Sequence, residues 1–529
     1  VSRLGARLAA GRSASGVSGM PIAPISRTAG RFRGSMSNWN PLQSLRQQIP
    51  HERRLIAFRA DDLAHNDAHA SSLVGSLALN VVGAGFAVQS QIDFKALGIT
   101  KEEATLVQAQ AERAFAIWSK EADAGGRMTF EDMSYQAFWC AVTLGEYLNL
   151  CRMFSDAEMA QRDRTFSFAL RAISPHRLST PAEYLVDPTV AEGVQLGEDG
   201  EPLGYWIENP EPFTGKLLQS ASQLWYTYNP ARQAHRPVVL HGFPVCGPEM
   251  VRGESVLAPA MKFFRDLNDC LDYNLIGQIV TAAFPMVVYT DDPTWAAQNP
   301  HHHAQGMERA RSHLSEVPPG SVVYLENGER MQAITNNNPP NTFDAFVERI
   351  LRAAGAAAGM PYEIISKDFS KTNYSSARAA LLEAYRAFSR YQHWFKRKFL
   401  QPCWDAVFEE AWLRGMIVLP KGAPDFYEAK HDWINCRWIP PKRGYVDPLK
   451  EMAANIEGLE AGLLTYSEII ESNEGDWERS FEQQDRERQR RKELGLPLPS
   501  GNPTPPATTP TTLEKQLGEE SEPQEEKAA

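Results

Sequence analysis

Four clusters mark where this sequence could do chemistry. His301-His302-His303 with His313 gathers imidazoles, the side chains that most readily ligate a transition metal. Asp61-Asp62 and Asp291-Asp292 are paired carboxylates, of the kind that hold metal or move protons. No cysteine or carboxylate stands at ligand spacing around the histidines, and they fall in a stretch rich in Pro, Asn and Gly. They read as surface or interface residues. Each aspartate pair is adjacent in sequence beside a structure break, where capping and turn formation account for it. A metal nuclease needs carboxylates converging from separate elements, and adjacency does not supply that. The fourth group, Cys140, Cys151, Cys246, Cys270, Cys403 and Cys436, contains no CxxC pair and no zinc spacing. These read as reduced thiols, three of them in apolar helical patterns where a free cysteine packs as a small hydrophobe. GxxxxGK(S/T), GxSxG, HExxH and Gly-rich dinucleotide fingerprints are all missing. No enzyme, metal or cofactor is expected.

Composition narrows the class further. At 529 residues the chain is too long for one compact core, so roughly two to four structural sections are expected. A hydrophobic content of 43% and an aromatic content of 10% are those of a folded globular protein. The longest apolar run, residues 275–289, is broken by Gln278 and Pro285 and falls short of the roughly 20 residues that span a bilayer. It reads as a buried helix, and no membrane partner is expected. The formal net charge is −11, from 54 basic and 65 acidic side chains. A monomer that grips DNA is usually basic. This chain therefore either avoids nucleic acid or lets it slide.

The elements that would position any site follow from periodicity. The fold class is α+β, mainly helical. Residues 1–39 carry basic but no acidic side chains and no clear amphipathic pattern, which predicts a disordered basic arm rather than a transit peptide. Residues 42–60 are basic and mixed, and residues 62–78 read as one helix. Residues 101–121 repeat apolar side chains at helical spacing, and Thr129 is placed to cap the next helix. Residues 166–172, 193–208 and 236–243 alternate as strands, with Gly197 and Gly200 in a turn. From Val256, apolar residues at threes and fours (Leu257, Met261, Phe264, Leu267, Leu271, Leu275, Ile279) predict a helix to Phe284, roughly 43 Å long, ended by Pro285. Residues 293–340 read as a small projecting module whose good strand is 321–325. A second helix starts near Asn341-Thr342 with Phe343, Phe346, Val347, Ile350 and Leu351 on one side, and stops at Gly359-Met360-Pro361. A polar loop leads to a long aromatic helix that Ser375 caps, Pro402 kinks and Gly415 closes. Helical segments follow at 449–462, from Ser467, and at 476–492. The tail from Pro497 has almost nothing to bury and reads as disordered. Two helices flanking an inserted module, then a loop and a very long helix, suit the wall of a ring better than an isolated enzyme.

Several segments, in this order and spacing, resemble the lambda-type family of phage portal proteins across roughly residues 40–494. They are Asn66-Asp-Ala-His69, Asn80-Val-Val-Gly-Ala-Gly-Phe86, His241-Gly-Phe243, Arg252-Gly-Glu-Ser-Val-Leu-Ala-Pro259 and Asp266-Leu-Asn-Asp269. Asp344-Ala-Phe-Val-Glu-Arg-Ile350 through Gly359-Met-Pro361, Asn373-Tyr-Ser-Ser-Ala-Arg378 and Val446-Asp-Pro448 complete the set. The resemblance implies a homododecameric ring at one capsid vertex, through which double-stranded DNA is packaged and ejected. It implies a wing at residues 40–255 and 375–448, a stem helix at 256–284, a clip at 285–340 and a stem return at 341–360. A tunnel loop would occupy 361–374, a crown 449–495, and a disordered tail 496–529. Implied partners are other copies of the chain, the terminase large subunit, head-tail adaptors, capsid and scaffold proteins, and the DNA. The location would be the virion, with the host cytoplasm during assembly. In the tunnel loop, Lys367, Lys371, Asn373 and Tyr374 become candidate DNA-channel residues, and Arg378 reads as an intersubunit or helix-dipole partner. Two other readings stay open, a metal-dependent phage nuclease and another ring-shaped neck or baseplate adaptor.

Overall fold

Where each element begins is written largely in its capping side chains. A computed structural model describes residues 50–209, 226–283, 286–290, 329–333, 340–370, 374–441, 448–472 and 477–496. The expected basic arm, the module strand at 321–325, the four histidines, Asp291-Asp292 and the tail from Pro497 lie outside the described residues.

Helix α1 (Pro50–Asn66) replaces the mixed segment expected before residue 60. It is missed by periodicity because its buried positions are Arg53, Ala57, Ala60 and Ala64, a face without large apolar side chains. The single helix expected at 62–78 is two, because Asp67 breaks it. Asp67 Oδ1 accepts the Ala70 N–H (2.7 Å) and caps α2 (Ala68–Val81). Asp61 and Asp62 therefore lie inside α1 and not at a break; Asp62 accepts from Asn66 Nδ2 one turn on (2.7 Å). After β1 (Ala87–Ser90), helices α3 (Lys101–Lys120) and α4 (Phe130–Thr143) both open with capping boxes, Thr100 with Glu103 and Thr129 with Asp132.

Strand β2 (Tyr147–Met153), α5 (Asp156–Arg162) and β3 (Phe168–Ile173) follow. Strands β4 (Val190–Ala191), β5 (Val194–Leu196), β6 (Pro202–Glu208) and β7 (Tyr226–Pro230) form a four-stranded sheet in sequence order. The two-residue strands β8 (Arg232–Gln233) and β9 (Arg236–Pro237) make a hairpin, and β10 (Val239–Gly242) joins β2 and β3 in the order β10-β2-β3.

The predicted long helix is α6 (Met261–Ala283), about 35 Å at 1.5 Å per residue. It starts later than Val256 because Pro259 disfavours the α conformation before it; a 3-10 turn fills Ala258–Ala260 instead. Antiparallel strands β11 (Met286–Thr290) and β12 (Glu329–Ala333) pair with each other, and helix α7 (Pro340–Ala357) returns to pack on α6. The expected loop from Pro361 contains a short helix, α8 (Tyr362–Ser366). Helix α9 (Tyr374–Phe395) runs through a π-turn (Lys396–Leu400) into α10 (Gln401–Leu413). The irregularity expected at Pro402 thus sits just before it. Proline cannot donate to the Lys398 carbonyl one turn back, and that carbonyl accepts the Tyr147 hydroxyl (2.8 Å). Arg378 lies near the N-terminal end of α9, where that helix's own dipole opposes a cation, so it is not a dipole partner of α9 itself. Helix α11 (Lys430–Trp433), β13 (Cys436–Ile439), paired antiparallel with β1, and helices α12 (Pro448–Glu460), α13 (Tyr466–Ser472) and α14 (Trp477–Glu493) complete the order.

One aromatic core joins both halves of the chain. Trp118, Phe130, Phe138, Phe395, Phe399, Trp404 and Phe408 are fully buried in it. Trp118 Nε1 donates to the Phe168 carbonyl and Trp404 Nε1 to the Ile434 carbonyl, each at 2.9 Å, so these large side chains are buried with their polar ends satisfied. No disulfide occurs among the six cysteines; Cys403 is buried, and burial pushes its thiol well up.

Candidate functional site

The sharpest chemistry in the structure is a buried ionic cluster where α6 leaves the body. Glu146 sits between Gly145 and the start of β2 and is essentially inaccessible. Arg252 Nε donates to both of its carboxylate oxygens at 2.8 Å, and Arg252 Nη2 donates to Oε1. His241 Nε2, from β10, lies 2.9 Å from Oε2, and the Gly253 N–H reaches the same oxygen at 3.2 Å. From α1, Arg53 stands 3.5 Å from Oε1 and pairs with Glu192. The other guanidinium hydrogens of Arg252 go to the carbonyls of Leu178 (3.0 Å), Glu192 (2.7 Å) and Pro175 (3.0 Å). Burial alone pushes the Glu146 carboxyl up; the Arg252 charge and the His241 and Arg252 hydrogen bonds outweigh it and hold the carboxyl far below the usual range. A buried charge this fully paired fixes geometry, because each partner is costly to leave alone. All its donors and acceptors are turned inward, which makes it a joint and not a catalytic pocket.

The second locus is the polar loop. Ser72 Oγ on α2 donates to the Ile365 carbonyl (2.7 Å), and Ser366 Oγ accepts the Asp368 N–H (3.2 Å). Lys367 adopts a left-handed conformation (φ 58°) as the C-cap of α8, and its ammonium donates to Ser76 Oγ on α2 at 2.5 Å. Further along, Gln392 Nε2 on α9 reaches the carbonyl of Val81 (3.3 Å). Helix α2 is thus the platform on which the loop and the long helix are both fastened. Lys367 is brought to the platform. Tyr374 begins α9. Lys371 and Asn373 lie outside the described residues.

Periodicity could not find Glu146, a lone carboxylate at a turn. Its partners His241 and Arg252 both stand in short segments noted for their resemblance. Gly242 and Gly253, beside them, are there for space: a Cβ on Gly242 would lie 2.5 Å from the Tyr147 ring, and one on Gly253 would lie 1.9 Å from the Gly145 carbonyl oxygen. Two of the segments that carry the resemblance, His241-Gly-Phe243 and the one opening at Arg252, therefore converge on one joint.

The family described as "Phage portal protein, lambda family" matches residues 32–392. This chain belongs to the lambda family of phage portal proteins. Portal protein B of Escherichia phage lambda is 26% identical over 500 residues, covering 89% of this chain and 90% of that protein. The portal protein of Escherichia phage N15 is 26% identical over 501 residues, covering 89% of this chain and 91% of its own. Among solved structures, a chain from the neck of a native GTA particle computed with C12 symmetry aligns with a TM-score of 0.42 at 13% identity, over 83% of this chain and 93% of that one. This portal subunit spans nearly the whole length of its phage relatives.

Proposed function

We infer that this portal subunit assembles into a closed ring of twelve at one vertex of a phage-like capsid, and that double-stranded DNA enters and leaves through the ring. The observation that carries the reading is the helix pair α6–α7. Helical spacing puts Leu275 and Ile279 on a core stripe, yet they are exposed at 57% and 56% in the single chain, with Tyr273, Ile276 and Phe346 exposed beside them. Toward the body, Phe264, Leu267 and Leu351 are buried. The far half of the pair therefore gathers five exposed large hydrophobic side chains, the kind of patch that suits a protein–protein contact. Copies of the same pair, side by side, would cover it. Among the described residues no helix is long and apolar enough to cross a membrane.

In this reading residues 256–284 and 341–360 are the stem, 285–340 the clip that meets the terminase large subunit and later the head-tail adaptors, and 40–255 with 375–448 the wing. Residues 449–495 form the crown inside the head, 361–374 the tunnel loop, and capsid and scaffold proteins surround the ring. Assembly takes place in the host cytoplasm and the product resides in the virion. The role is structural and not catalytic. The formal charge of −11 per chain suits it, since an acidic wall repels phosphate and keeps DNA moving. Negative-stain images of the purified chain are expected to show rings with a central hole; a monomer at every concentration, or a solid particle, rejects the reading.

Lys367 and Lys371 are the tunnel-loop cations proposed to track phosphate. Lys367→Ala with Lys371→Ala is expected to change packaged DNA length or retention while rings still form. Because Lys367 also holds Ser76, Ser76→Ala is the control: if it alone reproduces the change, the lysine anchors the loop and does not touch DNA. Normal packaging by the double variant removes the role altogether.

A further inference from the structure

We propose that neighbouring copies of this chain are joined by a projecting apolar turn, Leu185-Val186, that enters a cavity of about 760 Å³ on the next copy, between the β8–β9 hairpin and α10. The proposal rests on the ring reading and names a contact that the reading leaves open. A ring closes through a heterologous contact, so each subunit must carry two unlike surfaces that fit one another. Both are present.

The cavity is the receiving surface. Its walls are mainly apolar, with Cys151, Met153, Phe168, Pro237, Val238 and Ala406, and its volume lies in the range that encloses a well-sized anchor. Its rim is cationic. Arg236 donates to Glu409 Oε1 through Nε (3.0 Å) and Nη2 (2.7 Å), and Lys430 Nζ donates to Oε2 (3.0 Å). Glu409 is buried, whereas about a third of each cationic side chain is open to solvent. Tyr427 adds its hydroxyl to the same carboxylate (2.9 Å), and Arg414 pairs with the neighbouring Glu410 (2.7 Å). The two lining carboxylates balance the two lining cations in number, but Glu409 and Glu410 are buried, so the charge that meets solvent at the rim is that of Arg236 and Lys430. The hairpin that carries Arg236 turns through Ala234 (φ 47°) and His235 (φ 67°), a left-handed pair without glycine. Positive φ at both loop positions is the geometry that closes a two-residue hairpin, and it fixes where Arg236 stands on the rim.

The entering surface is preformed. Val186 is the most exposed large hydrophobic side chain among the described residues, at 92%, and Leu185 stands beside it at 71%. Single exposed apolar residues are ordinary; these two crown a rigid turn. The Tyr184 N–H donates to the Pro181 carbonyl (3.0 Å) and the Asp187 N–H to the Tyr184 carbonyl (3.1 Å). The Tyr184 ring stacks on Trp206 with centroids 4.8 Å apart. Little ordering is left to be lost on binding. Glu183 and Asp187 flank the tip, and Asp187 is held in place by the Thr189 N–H (2.8 Å) and hydroxyl (2.7 Å). An apolar tip between two carboxylates thus matches an apolar hole beneath a cationic rim, in both shape and charge.

The test uses the full chain carrying Cys246→Ser, which removes the exposed thiol, and Cys151→Ala, which removes the thiol in the cavity wall. With Val186→Cys and Gln233→Cys together, oxidised rings are expected to run as a covalent ladder on denaturing gels, while either cysteine alone leaves monomers. Leu185→Asp with Val186→Asp should keep the monomer's circular dichroism and melting, yet weaken subunit association by about tenfold or more, as loss of a buried anchor does. Normal rings from that variant with no ladder from the cysteine pair overturn this contact and leave the ring reading standing. A wild-type chain that never forms rings overturns both.

Discussion

Arg252→Ala is expected to lower the free energy of unfolding by about 3–5 kcal/mol, the usual cost of leaving a buried charge without its partner. The variant strips Glu146 of its closest donor and leaves the carbonyls of Pro175, Leu178 and Glu192 facing an empty space. His241, Gly253 and Arg53 remain around the carboxylate, but none supplies a two-pronged donor. Arg252→Lys should recover only part of the loss, because a point charge cannot serve Glu146 and three carbonyls at once. Chemical denaturation followed by tryptophan fluorescence measures both. A wild-type midpoint for Arg252→Ala would show that the cluster does not hold the start of α6 to the body.

The same cluster sets a direction for pH. Glu146 is held far below the ordinary glutamate value of 4.5, so near and below that pH the unfolded chain takes up a proton that the folded chain refuses. Its contribution to stability is therefore complete above about pH 4.5 and drains away as the pH falls further. Glu146→Gln should flatten that acid limb while lowering stability at neutral pH. An unchanged acid limb would assign the acid loss to other carboxylates.

Gly253→Ala should be nearly as damaging for a purely steric reason. Its new methyl would lie 1.9 Å from the Gly145 carbonyl oxygen and 2.6 Å from Phe243 Cβ. Backbone cannot step aside as a flexible side chain can, and Gly145 is itself pinned at φ +96° with the Glu254 backbone 2.5 Å from where its own Cβ would be. Two chain segments cross here with no room between them. A loss of at least about 3 kcal/mol, the upper end of what overpacking costs, is expected, seen as a chain that fails to accumulate in soluble form. Gly200→Ala is the comparison. Gly200 also has a positive φ (+79°) but faces open space, so the cost should stay near the roughly 1–2 kcal/mol of a left-handed alanine. Gly253 itself has no left-handed φ, so equal effects at the two positions would mean that the crossing gives way to the added methyl.

Local signals in this chain were legible wherever one residue's own chemistry decided the outcome. Thr129 caps α4 as its spacing from Asp132 suggests, and the apolar repeat of residues 101–121 becomes α3 with Ala104, Val107, Ala111, Phe115 and Trp118 buried. The helices α6, α7 and the long helix from Tyr374 are likewise readable, because each has its own period or breaker. Where burial depends on a distant partner, the reading fails. Helix α1 hides behind alanines and a buried arginine, since its neighbours and not its own stripe supply the contact.

The sequence by itself determined the family, the element order and most helix ends, because capping, periodicity and proline act within a few residues. Only the tertiary structure decided what the short matching segments are for. It brought Glu146, His241 and the adjacent Arg252 and Gly253 from three places in the chain to one joint, placed Lys367 against Ser76, and left the far half of the α6–α7 pair uncovered. Those outcomes depend on which backbone segments cross at contact distance and which charges lose their water together. Neither quantity exists until the chain is folded.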